Sequence, residues 1–150
     1  GQAPLLVQQW LNLASLLHHR DSKDKQWLAS VSAAAEVAMP LLPEWCRCGT
    51  DEAVELACKV NVNAHGLVDI SCSNNILGVG MFPLVAMFNH SCRPNCTFVF
   101  QGGKMELRVI DEVSRGTELT LSYIDLIQST QDRQAELLST KDFLCRCARC

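Results

Sequence analysis

Leu6, Trp10, Leu13 and Leu17 recur at intervals of four, three and four. That spacing lays one apolar face along a helix and predicts helical structure over residues 5–20. A second helix is expected next, with Asp21 or Ser22 as its cap and Trp27, Val31, Ala34, Ala35 and Ala38 on its apolar face. Pro40 and Pro43 stop it, since proline lacks the amide hydrogen that the helical ladder needs. Thr50, Asp51 and Glu52 read as a third helix start, with the acids at the positive end of the dipole. Ala53, Val54, Ala57 and Cys58 then face inward.

The period changes after that. KVNVN (59–63) and GLVDIS (66–71) look like short strands, and GVG (78–80) like a turn. In CTFVFQ-GG-KMELRVI (96–110), Lys104, Glu106 and Arg108 alternate with Met105, Leu107 and Val109, as in a half-buried strand. Gly102-Gly103 supplies a two-residue hairpin turn. ELTLS (118–122) alternates again, and STQDRQAELLSTK reads as a helix capped by Thr130. Helices, then short strands, then a helix predict an α+β fold.

Length and composition narrow the field. With 150 residues and 48% hydrophobic positions, the chain is one domain or one compact piece of a larger protein. A net charge of −3 gives no electrostatic footprint for nucleic acid. The longest apolar run, residues 76–88, is interrupted by glycine and Pro83 and is too short to span a bilayer, so no membrane partner is expected. The N-terminus lacks both an initiator Met and a signal-like segment, and the last residue is itself a motif cysteine. The chain is expected to be cut from something longer.

Nine cysteines change the picture, because an odd count argues against a closed set of disulfides. Cys145, Cys147 and Cys150 form C-x-C-x2-C. Three sulfurs so close are poorly placed to bridge each other and well placed to face one cation. A structural zinc ion takes four such ligands, so one is missing from the triplet. Cys92, Cys96, Cys46, Cys48 and Cys58 are all open as the fourth; Cys92 is attractive because it lies in a polar turn ended by Pro94. Asn89 and Asn95 each begin an N-x-[S/T] triplet, which with many cysteines would suit a secreted glycoprotein, but both lie beside an apolar run. In FNHSCRPNC (88–96), Asn89 and His90 either satisfy one another in a tight turn or hydrogen-bond a ligand. Tyr123, the single tyrosine, could be no more than a packed aromatic at a strand end.

FNHSCRPNC, then GTELTLSYID, then FLCRCARC resemble, in that order, the C-terminal half of a SET domain followed by a cysteine-rich post-SET segment. The upstream helices and GVGMFPLVAMFNHSC most resemble the SET-and-MYND subgroup of protein lysine methyltransferases. The resemblance is close over residues 59–150 and loose over 1–58. It implies a helical insert (1–58), the C-terminal half of the SET domain with its pseudoknot (59–126), and a helix with the post-SET segment (127–150). It also implies one structural zinc on Cys92, Cys145, Cys147 and Cys150. S-adenosylmethionine would be contacted by Asn63, Asn89, His90, Tyr123 and Phe143, with Tyr123 as the catalytic tyrosine.

The implied partner is a protein or peptide bearing a lysine, histones included. Zinc-bound thiols imply nucleus or cytoplasm. Two positions that often carry aromatics around the target lysine appear here as His65 and Lys141. The family's first SET half, with its G-x-G cofactor loop, and a MYND finger have no counterpart in these residues, so the isolated chain is expected to be inactive. The competing expectation is a zinc-stabilised SET-like module that binds a peptide without modifying it.

Overall fold

The computed structural model describes residues 11–69, 75–101 and 104–150. The chain divides into two compact units, with the boundary between Ala64 and His65. Each is built differently.

The first unit is helical. Leu6 and Trp10 of the first predicted helix lie outside the described residues, and the chain is helical from Leu11 to Ala14. Asp21 and Ser22, expected as caps, instead form a 3-10 turn, Arg20–Ser22. Helix α1, Lys25–Ala38, is capped by Asp24, whose carboxylate accepts the amides of Gln26 and Trp27 at 2.9 and 3.0 Å. Ala35 is buried and Trp27 and Val31 half-buried, but Ala34 and Ala38 are exposed, so the apolar face is narrower than the spacing predicts. Pro40 sits in the 3-10 turn Met39–Leu41 that follows.

Helix α2, Thr50–Asn63, starts where expected, with Asp51 and Glu52 in its first turn and Val54 and Cys58 buried. It runs straight through KVNVN, which is therefore not a strand. Four alternating residues cannot outweigh a helix already propagating. The Asn63 side chain also stabilises the last turn, donating to the Lys59 carbonyl at 2.9 Å.

The second unit holds six short strands among the described residues. Strands β1, Ala64–Asp69, and β2, Asn75–Met81, pair with each other. GVG lies within β2 and is not a turn. A Cβ on Gly80 would come within 2.6 Å of the Phe82 ring, so close packing rather than a bend calls for glycine here. Helix α3, Pro83–Ala86, is a single turn and leads into β3, Asn89–His90. Strands β4, Cys96–Gln101, and β5, Lys104–Val109, form the expected antiparallel pair, with Cys96 opposite Val109 and Gln101 opposite Lys104. Gly102 and Gly103, like Cys72, lie outside the described residues. Met105 and Leu107 turn inward, but Val109 is exposed.

ELTLS shrinks to β6, Thr120–Leu121, which runs parallel to β3. The reason is local. Asn95 accepts the Thr120 amide and donates to the Glu118 carbonyl, both at 2.8 Å, and so replaces strand pairing there. Helix α4, Thr130–Lys141, is capped by Ser129 rather than by Thr130, and ends on Asp142 in the left-handed region.

The unit thus mixes helix with small sheets, as expected. Val85, Cys96 and Leu121 centre one apolar cluster, against the aromatic side chains of β4 and its neighbours. Cys92, Leu137 and Cys145 centre the other. Leu137 is fully buried there, and Leu137→Ala should cost about 2–5 kcal/mol. A urea titration of the two proteins measures it as a lower midpoint.

Candidate metal centre and tyrosine site

Two turns bring distant cysteines together. After β3 the Ser91 amide donates to the Leu121 carbonyl at 2.9 Å, and Cys92 follows, 1% exposed. After α4 the left-handed Asp142 reverses the chain, and Gln134 of the helix donates to the Cys145 carbonyl at 3.0 Å. Arg149 ties the ends, donating to the carbonyls of Cys92 and Leu126 at 3.0 and 2.9 Å.

The sulfurs of Cys92, Cys145, Cys147 and Cys150 all lie within 4.8 Å of one another. Cys92 Sγ is 3.9 Å from Cys145 Sγ and 3.5 Å from Cys150 Sγ. A tetrahedron with ~2.3 Å metal–sulfur bonds has edges of about 3.8 Å, whereas a disulfide closes to ~2.05 Å. The group can hold one metal ion, and Cys92 is its fourth member. Cys96 is buried in the other apolar cluster. Cys46, Cys48 and Cys58 belong to the helical unit and are free thiols.

The protonation states are uneven. Burial pushes the Cys92 thiol up to about 12 and raises Cys145 as well. Burial opposes the Cys147 thiolate too, but the amides of Arg149 and Cys92 and the Cys145 thiol outweigh it and bring Cys147 down to about 6. A metal binding here must displace the protons that burial favours on Cys92 and Cys145.

His90 joins this group to Tyr123. The Tyr123 amide donates to His90 Nδ1 at 3.0 Å, so Nδ1 is an acceptor and the neutral ring carries its proton on Nε2. That proton faces Cys92 Sγ at 3.2 Å. Burial, then the charge of Arg133, lowers the His90 pKa, which keeps the ring neutral. Its centroid lies 5.4 Å from that of Tyr123 and 6.0 Å from that of Phe143. The Tyr123 hydroxyl donates to the Phe88 carbonyl, and burial raises its pKa, so it stays protonated at neutral pH.

His90, Cys92, Tyr123, Phe143 and the three late cysteines are thus brought together. Asn89 is next to them, exposed, with its amide donating to Glu118 at 2.6 Å. Asn63 belongs to the helical unit and donates to the Leu17 carbonyl at 2.9 Å. Lys141 Nζ stands 5.6 Å from the Tyr123 ring centroid, and His65 meets Phe82 and Phe98 edge-on.

The roles of three polar residues went unnoticed in the sequence. Arg133 is only 3% exposed, and Arg149 crosses between the two turns, yet each reads locally as an ordinary surface arginine. Asn95 looked like the start of a glycosylation triplet. Its two ends are occupied instead, so a glycan there would break the Glu118 and Thr120 contacts.

The SET domain family model matches residues 11–124 of this chain. The chain belongs to the SET-domain family. Curated relatives agree with that membership. The chain is 40% identical over 99 residues to the histone-lysine N-methyltransferase ASHR1 of Arabidopsis thaliana, covering 66% of this chain and 20% of that protein. It is 41% identical over 103 residues to the N-lysine methyltransferase SMYD2-A of Xenopus laevis, covering 67% and 24%. It is 40% identical over 74 residues to the histone-lysine N-methyltransferase SMYD3 of Mus musculus, covering 49% and 17%. The matches thus span no more than about a quarter of these SET relatives.

Elemental analysis of the purified chain should give one metal equivalent per chain, and Cys92→Ser should reduce it to well under half. Full occupancy in the variant would remove Cys92 from the ligand set.

Proposed function

We propose that this chain forms part of a protein lysine methyltransferase that uses S-adenosylmethionine, with Tyr123 as the catalytic tyrosine and a structural zinc on Cys92, Cys145, Cys147 and Cys150. The observation that carries the reading is the continuous link from the four cysteines through His90 to Tyr123. SET-family membership and the lysine methyltransferase names of the relatives support it. In this reading residues 1–58 are the helical insert. Residues 59–126 are the C-terminal half of the SET domain, closed as a pseudoknot by the parallel pairing of β3 with β6. Residues 127–150 are the post-SET segment. The partner is a protein bearing an accessible lysine, histones among the candidates, met in the nucleus or cytoplasm.

The residues fit both groups. Four thiols without an open fifth donor suit a closed structural zinc, whose role is to fix the chain rather than to react. His90, Tyr123 and Phe143 present a cluster of rings beside Asn89, a set able to seat a flat heterocycle and its polar edge. S-adenosylmethionine, when bound, supplies a methyl group on a positively charged sulfur. The chain's own work is positioning, since a displacement of this kind needs reacting atoms held about 3–3.5 Å apart and in line.

Tyr123 is suited to that work. Its hydroxyl is fixed by Phe88 and its backbone by His90, leaving the oxygen as an acceptor for an incoming amine. The amine must be neutral, which from an unperturbed pKa near 10.4 costs roughly 4–5 kcal/mol at pH 7. A half-buried aromatic wall and nearby positive charge lower that cost by disfavouring the ammonium form. Asn63 is carried in the proposal as a further cofactor contact.

Lys141 favours the second reading, a SET-like module that binds a peptide and leaves it unmodified. An ammonium 5.6 Å from the Tyr123 ring repels a lysine brought to the same place. One experiment separates the two. Methyl transfer from labelled S-adenosylmethionine to histones and a protein extract, by the intact protein, should fall on the order of 10² in Tyr123→Phe, the usual size for losing one preorganised polar group. Equal labelling by parent and variant, with zinc retained in both, would leave the interaction module as the function.

A further inference from the structure

Arg133 is the one charged residue buried among the described residues, at 3% exposure. It projects from α4 toward the four cysteines. Nη1 donates to the Gln128 carbonyl at 2.7 Å, and Nη2 to Thr130 Oγ1 at 3.1 Å. Nη2 also reaches the Arg149 carbonyl at 3.5 Å and Cys150 Sγ at 3.8 Å. Nε has no hydrogen-bond partner. The salt bridges seen among the described residues, Arg20–Asp51 and Arg108–Glu106, do not involve it.

A buried guanidinium is costly to desolvate unless an opposite charge faces it. Carbonyls and a hydroxyl take up hydrogens of the two Nη groups, but Nε–H is left unpaired and the charge is not met. The cysteine group supplies what is missing, because four thiolates around a divalent ion keep a net double negative charge.

We propose that Arg133 is a positioning residue of the metal centre, whose guanidinium offsets the negative charge of the four thiolates and steadies Cys150, the most exposed ligand. The inference rests on the four-cysteine group being a zinc site. Donors outside the ligand shell orient the ligands and set how firmly the metal is held, typically by 10–100-fold. Here the charge also keeps the thiolates together once they are formed. A purely structural arginine would tie the Gln128 and Arg149 carbonyls and do nothing to the metal.

The test uses the full chain, loaded with zinc, and a chromogenic chelator that reports metal release. Arg133→Met keeps the aliphatic stem and removes the charge; it should release zinc at least about tenfold faster. In the cobalt-loaded protein its sulfur-to-metal charge-transfer band should move to lower energy, because a thiolate relieved of a positive neighbour gives up its electron more easily. Arg133→Lys should restore most of the retention. Thr130→Val, which breaks one side-chain tie and spares the charge, should behave as the parent.

Release from Arg133→Met within twofold of the parent, with an unmoved band, overturns the proposal. So does Thr130→Val releasing zinc as fast as Arg133→Met. If Arg133→Met does not fold, the other two decide. Retention in both supports the charge, and metal loss from Arg133→Lys at an unchanged melting temperature overturns it. Absence of zinc from the parent defeats the zinc reading itself, a different result from any of these.

Discussion

The second unit depends on one meeting between parts of the chain that are far apart in sequence. Cys92 lies against Cys145, 53 residues later, and Cys150, 58 residues later. Closing a loop of that length costs roughly 3.5 kcal/mol in chain entropy before any constant is added. The apolar partners available locally are few, chiefly Leu137 and the side chains packed on it. A metal bound by four sulfurs supplies folding free energy directly, of a size that small metal-bound domains rely on. The parallel contact of β3 with β6 is only two residues long.

His90 carries the Cys92 end of that closure to Tyr123. Its ring cannot accept from the Tyr123 amide and face the Cys92 sulfur unless both segments are in place. Tyr123 is then held at two points, by His90 through its backbone and by Phe88 through its hydroxyl. Neither hold comes from the element that carries the tyrosine. Orientation of the Tyr123 side chain and placement of Cys92 are therefore linked through one ring.

What was legible in the sequence follows from range. The C-x-C-x2-C triplet was readable because its geometry is set by a few covalent bonds, and the β4–β5 pair because two strands share one short turn. The start of α2 was readable from three adjacent residues. The fourth cysteine stayed open among five candidates on residue type alone, and only the resemblance pointed to Cys92, because no local rule links residue 92 to residue 145. KVNVN failed as a strand because its alternation was too short to compete with the helix running into it. GVG failed as a turn because Gly80 answers to Phe82, two residues away but across the packing rather than along the strand. The roles of Asn95 and Arg133 could not be seen. Their partners, Glu118 and Thr120 in one case and Cys150 in the other, are distant.

The order of the cysteines along the chain also has a temporal side. A ribosome adding about 5–20 residues per second takes roughly 3–12 s to make the stretch that separates Cys92 from its partners. Throughout that interval Cys92 has none of its three partners, and for about the first half of it β3 has no β6 to pair with. The segment that will hold Tyr123 is made before the anchor that fixes it. During synthesis the cysteine group therefore closes last, after both strands of the β3–β6 pair and Tyr123 itself have been made.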